Sequence, residues 1–280
     1  MIRKIESNHG WNVEPREGIR EVSGNTSSLS MSDILALVGG DCCALHVKNF
    51  LPEEICIQLM NQVTTSEKLR SHREVDGLKM IGYPFFSVAK DSNREEQYYR
   101  EAKNFSQDIR EMCFPYLSPL DQIISELCCA WQPGVAVEAV NKQSLPMSPG
   151  IVRVVEKGVE VLPHHDFLSE DVKNSNNSSS LTCQLGLNVY LDVPEHGGEL
   201  DLYLRKYSSS EFARLSAGSY GIDRTLVGAP VFSIKPAIGD MILIRTWELH
   251  GIRSPKLGRR ATMSSFIGVR SENEPITIWA

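Results

Sequence analysis

No run of apolar residues in this 280-residue sequence approaches the roughly 20 that a helix needs to cross a bilayer, so no membrane partner is expected. The opening stretch MIRKIESNHGWNVEPREG has no apolar centre of the signal-peptide kind. Basic charge is thin as well. Lys and Arg number 29 against 35 Asp and Glu, giving a net charge of −6, and no basic stripe runs along the chain, which argues against nucleic acid as a partner. Seven cysteines (Cys42, Cys43, Cys56, Cys113, Cys128, Cys129 and Cys183) include no CxxC and no zinc spacing. An odd count of this kind reads as reduced, buried thiols and points to a cytoplasmic protein. What remains, 41% hydrophobic and 23% charged residues, is the composition of an ordinary globular chain long enough to bury a large core.

Residues 1–30 are polar and patternless, ending in SGNTSSLSMSD, and read as a flexible arm before a single domain over 31–280. CCALHV is a short strand. In PEEICIQLMNQV, Pro52 stands where a first helical turn tolerates proline, and Ile55, Leu59 and Val63 recur every four residues, predicting a helix. Helical periodicity returns from about Glu95 to Trp131 and is broken at PYLSP. After Gly150 the texture turns to short β-rich runs: IVRVVE, VEVL, LTCQLGLNVYLD, ELDLYL, APVFSI, DMILI and ATMSSFIGV, with turn compositions between them. Helices first and short strands afterwards predict an α+β domain. Its core, over about 150–270, would be a double-stranded β-helix (a jelly roll of cupin type) with an N-terminal helical layer. The polar stretch SEDVKNSNNSSS at 169–180 reads as a surface loop, with a lid over the site as the second reading.

Within LPHHDFL, extended backbone puts His164 and Asp166 on one side and His165 on the other. One imidazole and one carboxylate so placed can occupy adjacent corners of a cation. His250, in RTWELHGI after the strand GDMILI, is the candidate third ligand. Two histidines and one carboxylate fill one face of iron(II) and leave three positions open. Ten residues further on, Arg260 begins RRATMSSFIGV, read here as a strand paired with DMILI across GIRSPKLGR. Arg260 and Thr262 share a face of that strand, and a guanidinium beside a hydroxyl suits one end of a dicarboxylate. Arg259 points the opposite way, toward solvent.

The order of these pieces resembles the Fe(II)/2-oxoglutarate oxygenase superfamily over roughly residues 150–270. NVYLDVPEHGGEL resembles the strand-turn-strand of the prolyl-hydroxylase type, and GDMILIRTWELH fits the same pattern. IVRVVEKGVEVLPHHDF, VPEHGGELDLY and GRRATMSSFIG are similar to stretches of small freestanding members that act on amino acids and alkaloids, among them the carrier-independent halogenases. Halogenases have a small residue where Asp166 stands, which opens an iron position for chloride. This chain retains the carboxylate. The resemblance therefore implies iron(II), 2-oxoglutarate and O2, with hydroxylation of a small molecule, such as an amino acid or natural-product intermediate, and release of succinate and CO2.

Alternation in LTCQLGLNVYLD separates Leu185, Leu187, Val189 and Leu191 from Gln184, Gly186, Asn188 and Tyr190. The resemblance turns the second set toward the cavity and makes Asn188 and Tyr190 cosubstrate neighbours; a wet face on an edge strand is the alternative. Arg153, inside an apolar strand, calls for an anionic partner, which could be a substrate carboxylate or Glu156 or Glu160. Phe85 and Phe86 in GYPFF, with Trp247, are the remaining candidates for a substrate wall. Desaturation or cyclisation at the same iron, and a non-catalytic ligand-binding module, are the competing functional readings.

Overall fold

The structure, a computed structural model, describes residues 17–23, 29–72, 75–87, 92–140, 145–172 and 176–280. Most of the arm expected over 1–30 lies outside these residues. Its segment Ile19–Ser23 is nevertheless a strand, paired in parallel with Ala44–Lys48 and burying Val22.

Two sheets organise the chain. The large one has ten strands: β1 (Ile19–Ser23), β2 (Ala44–Lys48), β3 (Arg70–Ser71), β4 (Leu78–Ile81), β5 (Val135–Val137), β6 (Ile151–Val155), β8 (Cys183–Asp192), β11 (Met241–Arg245), β13 (Arg260–Val269) and β14 (Ile276–Trp279). The small one has four: β7 (Val161–His164), β9 (Leu200–Leu202), β10 (Phe232–Ile234) and β12 (His250–Ile252). Its order is β10-β9-β12-β7, and the main path of the large sheet runs β1-β2-β11-β8-β13-β6-β4-β3. The expected pairing of β13 with β11 is wrong: β8 lies between them, hydrogen-bonded to both. The chain leaves β11 for the small sheet, where it forms β12, before returning as β13.

Four longer helices precede β6: α1 (Met31–Gly39), α2 (Glu53–Thr65), α3 (Ser92–Cys113) and α4 (Pro119–Ala130). Their starts are locally encoded. Ser30 and Asp33 form a reciprocal capping box on α1, and Ser118 caps α4 with Pro119 in its first turn. Pro52 takes the position just before α2. The apolar stripes of these helices, including Ile34, Leu59, Ile109 and Leu127, share one buried cluster with Leu185, Leu187, Val189 and Leu191 of β8. Alternation along β8 thus buries one face under helices and turns Gly186 and Asn188 to a cavity. β8 is central rather than an edge, so the wet-face alternative fails. Four short helices follow: α5 (Leu168–Asp171), α6 (Asn176–Ser179), α7 (Ser209–Ser216) and α8 (Arg224–Val227). Two of them fall in the polar stretch 169–180, where a plain loop was expected. No described helix is long and apolar enough to cross a membrane.

The Gly239–Asp240 turn into β11 is a buried polar junction. Asp240 accepts from the Asn49 and Ala237 amides, and its Oδ2 lies 2.7 Å from His46 Nε2. Burial alone would raise the Asp240 carboxyl; the His46 and amide hydrogen bonds outweigh it and hold the group below its ordinary range. A depressed folded-state pKa adds stability that is present above the unfolded-state value and is lost as pH falls through the folded one. Asp240→Asn is therefore expected to cost about 2 kcal/mol at neutral pH, with the gap to wild type closing in acid. Urea unfolding at several pH values checks this; an equal deficit at every pH contradicts it.

Candidate active site

His250 and His164 are directly opposite one another in the β12–β7 ladder. That register is what joins two histidines so far apart in sequence. Asp166 follows two residues after β7, and its backbone is gripped from both sides: its amide donates to the Thr246 carbonyl at 2.9 Å, and Thr246 Oγ1 donates to its carbonyl at 3.0 Å. Thr246 in turn sits against Gly186 of β8, where an added Cβ would come within 2.9 Å of its methyl group. A second glycine is needed in the HGGEL turn, at φ +80°, where any side chain on Gly197 would run into the Ser254 carbonyl.

Both imidazoles are aimed by their own backbone. His164 Nδ1–H donates to the Leu162 carbonyl at 2.8 Å and His250 Nδ1–H to that of Glu248 at 2.9 Å, so both Nε2 lone pairs face inward. Those nitrogens lie 3.7 and 3.6 Å from Asp166 Oδ2. The three ligand atoms fall within 4.8 Å of one another, a spacing one cation can bridge. Burial pushes His164 down to about 4 and keeps it neutral. Burial works the other way on Asp166, but His164, His250 and Arg153 outweigh it and hold its carboxyl well below the usual range. A neutral imidazole and an ionised carboxylate are the forms a metal requires.

The triad opens into a cavity of about 680 Å³ between the sheets. Arg260 and Thr262 face it together, as their spacing predicted. Arg260 is only 2% exposed, stacks on the Tyr190 ring at 4.8 Å and leaves its Nε without a partner; the Tyr190 hydroxyl is also buried and unpartnered. Asn188 lines the cavity and accepts from Ser264 Oγ at 2.7 Å, while Thr262 and Ser264 hydroxyls are 3.0 Å apart. A buried cation with an idle donor, beside the unpartnered Tyr190 hydroxyl, fits a carboxylate ligand such as 2-oxoglutarate.

Three sequence expectations change. Trp247 packs against the helix-covered core and lies under Lys206, away from the cavity, because the turn after β11 reverses its side chain. Phe85 is buried against Tyr98 and Tyr99; in that 3₁₀ turn it is Phe86 that reaches the cavity. Arg259 is not free in solvent but bonds Asp192 at 2.8 Å. Sequence reasoning missed the places of His165, Phe167 and Phe212 at the cavity wall, where the His165 ring lies 4.2 Å from that of Phe212 and meets Phe167 edge-on at 4.9 Å. Period-two logic correctly removes His165 from the triad but does not say what it faces instead.

Thr246 was also missed, since nothing in RTWELH marks it. Thr246→Val keeps the shape and deletes the hydroxyl, so iron(II) affinity is expected to fall by about tenfold in chelator competition. Unchanged affinity would show that the Asp166 backbone needs no such clamp.

The family model for carrier-protein-independent halogenase WelO5 matches residues 25–280. No curated protein matches the chain in sequence. Among solved structures, an N-substituted L-amino acid dioxygenase from Burkholderia ambifaria AMMD overlaps at TM-score 0.60 and 15% identity, covering 89% of this chain and 91% of that one. A structure of that dioxygenase in complex with alpha-KG gives TM-score 0.60 at 14% identity with the same coverage. HygX from Streptomyces hygroscopicus, with nickel and 2-oxoglutarate bound, overlaps more loosely: TM-score 0.46 and 12% identity, over 80% of this chain and 82% of that one. The dioxygenase overlap shows a shared fold, and the match from residue 25 to the last residue shows more: this chain belongs to the carrier-protein-independent halogenase WelO5 family, enzymes dependent on non-haem iron and 2-oxoglutarate.

Proposed function

We propose that this enzyme hydroxylates a C–H bond of a small molecule rather than halogenating it, with 2-oxoglutarate converted to succinate and CO2. The observation that carries this reading is the Asp166 carboxylate, placed 3.7 and 3.6 Å from the two imidazole nitrogens. Where a halogenase leaves room for chloride beside the metal, this chain puts an oxygen ligand of its own. In this reading the two sheets are a double-stranded β-helix with the helices on its outer face, and the metal lies at the seam where β7, β12 and the Asp166 turn meet.

The geometry supports a role for each of these residues. His164, Asp166 and His250 would hold iron(II) on one face, leaving three positions for ligands. Arg260, stacked on Tyr190, would take the distal carboxylate of 2-oxoglutarate through its guanidinium fork, with Thr262 beside it and Asn188 holding the Ser264 hydroxyl in register. Bound iron(II) and 2-oxoglutarate would supply the oxidising power for the C–H bond. The chain contributes position and dryness. Leu78, Met80, Val155 and Val161 face the same cavity and exclude water from the substrate side. A volume of about 680 Å³ is that of a small-molecule site. The dioxygenase that shares the fold acts, by its name, on N-substituted L-amino acids, which favours a small-molecule substrate here too.

A cobalt(II)-substituted protein tests the ligand assignment, because its visible spectrum reports what coordinates the metal. With 2-oxoglutarate bound, the Asp166→Gly spectrum is expected to shift at chloride concentrations that leave the wild-type spectrum unchanged. A wild-type spectrum that moves over the same chloride range would place halide at the metal as readily with Asp166 as without it and remove the basis for hydroxylation.

A further inference from the structure

β6 carries one polar side chain on its cavity face. Arg153 faces the cavity between Ile151 and Val155, beside Met80 on one neighbouring strand and Thr262 on the other. Its neighbours along β6 and on β4 are apolar: Leu78, Met80, Ile151 and Val155 form one buried cluster. Among the described residues the Arg153 side chain has no hydrogen bond and no ion pair. The acids close to it in sequence are engaged elsewhere, Glu156 with Lys79 at 3.1 Å and Glu160 with Arg224 at 2.9 Å. Burial disfavours its charge, Asp166 supports it and Arg260 opposes it. A guanidinium held this way costs stability unless something brings it an anion.

Charge balance says what is left for it. An iron(II) dication and a 2-oxoglutarate dianion, with Asp166 and Arg260, sum to zero. Of the other charged side chains lining the cavity, that leaves Arg153, facing the substrate side, and Glu170, which is exposed and accepts from Ser209 Oγ at 2.8 Å. Beyond it the wall turns aromatic, with Phe86, Phe167 and Phe212 and the His165 ring, whose Nδ1 is buried without a partner.

Building on the oxygenase reading, we propose that Arg153 anchors a carboxylate of the substrate, and that the enzyme acts on small organic acids whose apolar body lies among Phe86, Phe167 and Phe212. The fork takes both carboxylate oxygens, and fixing that end of the molecule decides which C–H bond faces the metal.

Anaerobic calorimetry on the iron(II)- and 2-oxoglutarate-loaded protein tests this with phenylacetate, 3-phenylpropionate and N-acetylphenylalanine, each against its primary amide. At least one acid is expected to bind about tenfold or more tightly than its amide, a preference that Arg153→Gln removes and Arg153→Lys partly restores. Because Arg153 makes no hydrogen bond or ion pair among the described residues and its burial is itself a cost, Arg153→Gln should not lower the melting temperature of the ligand-free protein, so loss of binding cannot be ascribed to unfolding. Its affinity for 2-oxoglutarate should stay within about twofold of wild type. If no acid binds better than its amide, the proposal is overturned. If Arg153→Gln instead weakens 2-oxoglutarate about tenfold, Arg153 serves the cosubstrate and the proposal again fails. Failure of the wild-type protein to bind 2-oxoglutarate at all would defeat the oxygenase reading itself, an outcome distinct from the other two.

Discussion

The placement of His250 opposite His164 in the β12–β7 ladder is the constraint on which the site depends. Neither histidine has any other means of finding its partner across so much sequence. Each is then locked by a bond from Nδ1 to the carbonyl two residues before it, so the strand backbone itself selects the tautomer that a metal needs. The turn that presents His250 is held from further out. Arg245, at the end of β11, donates to the Leu37 and Cys42 carbonyls behind α1 and pairs with Glu248 at 2.8 Å. Helix α1 thus reaches the metal site through one buried arginine, although it contributes no ligand.

The large sheet divides the labour between its faces. One face carries the aliphatic side chains of β8 into a core with the helices, where burial supplies the bulk of the stability. The other carries the polar residues of β6, β8 and β13 into the cavity. Their cost is offset only in part by contacts with one another, as the unpartnered atoms of Arg260 and Tyr190 show. Two unsatisfied polar groups in contact with one another, on a cation that faces the cavity, mark where a ligand completes the structure.

Much of this was legible in the sequence, because period-two alternation is local. It put His164 with Asp166, Arg260 with Thr262, and the leucines of β8 opposite Asn188, all as found. What failed was non-local or turn-dependent. The pairing of β13 with β11 was inferred from adjacency in the chain, and the insertion of β8 between them is a topological fact that no short window contains. Trp247 and Phe85 were misplaced because each lies in a turn, where neither alternation nor helical spacing predicts direction. Strands Leu78–Ile81 and Ile276–Trp279 were passed over because four residues are too few to show a period. Thr246 acts through backbone contacts that composition cannot reveal.

The family to which the chain belongs is described by halogenation, while its own metal corner holds a carboxylate. In the function proposed above, that one side chain is what sets hydroxylation apart from halogenation. The central claim is that His164, Asp166, His250 and Arg260 together form a working iron(II) and 2-oxoglutarate site. Its most direct test is an anaerobic titration of the iron(II)-loaded protein with 2-oxoglutarate, followed by visible absorption. The account predicts a weak metal-to-ligand charge-transfer band that saturates at one 2-oxoglutarate per chain. Bound iron with no such band would contradict it.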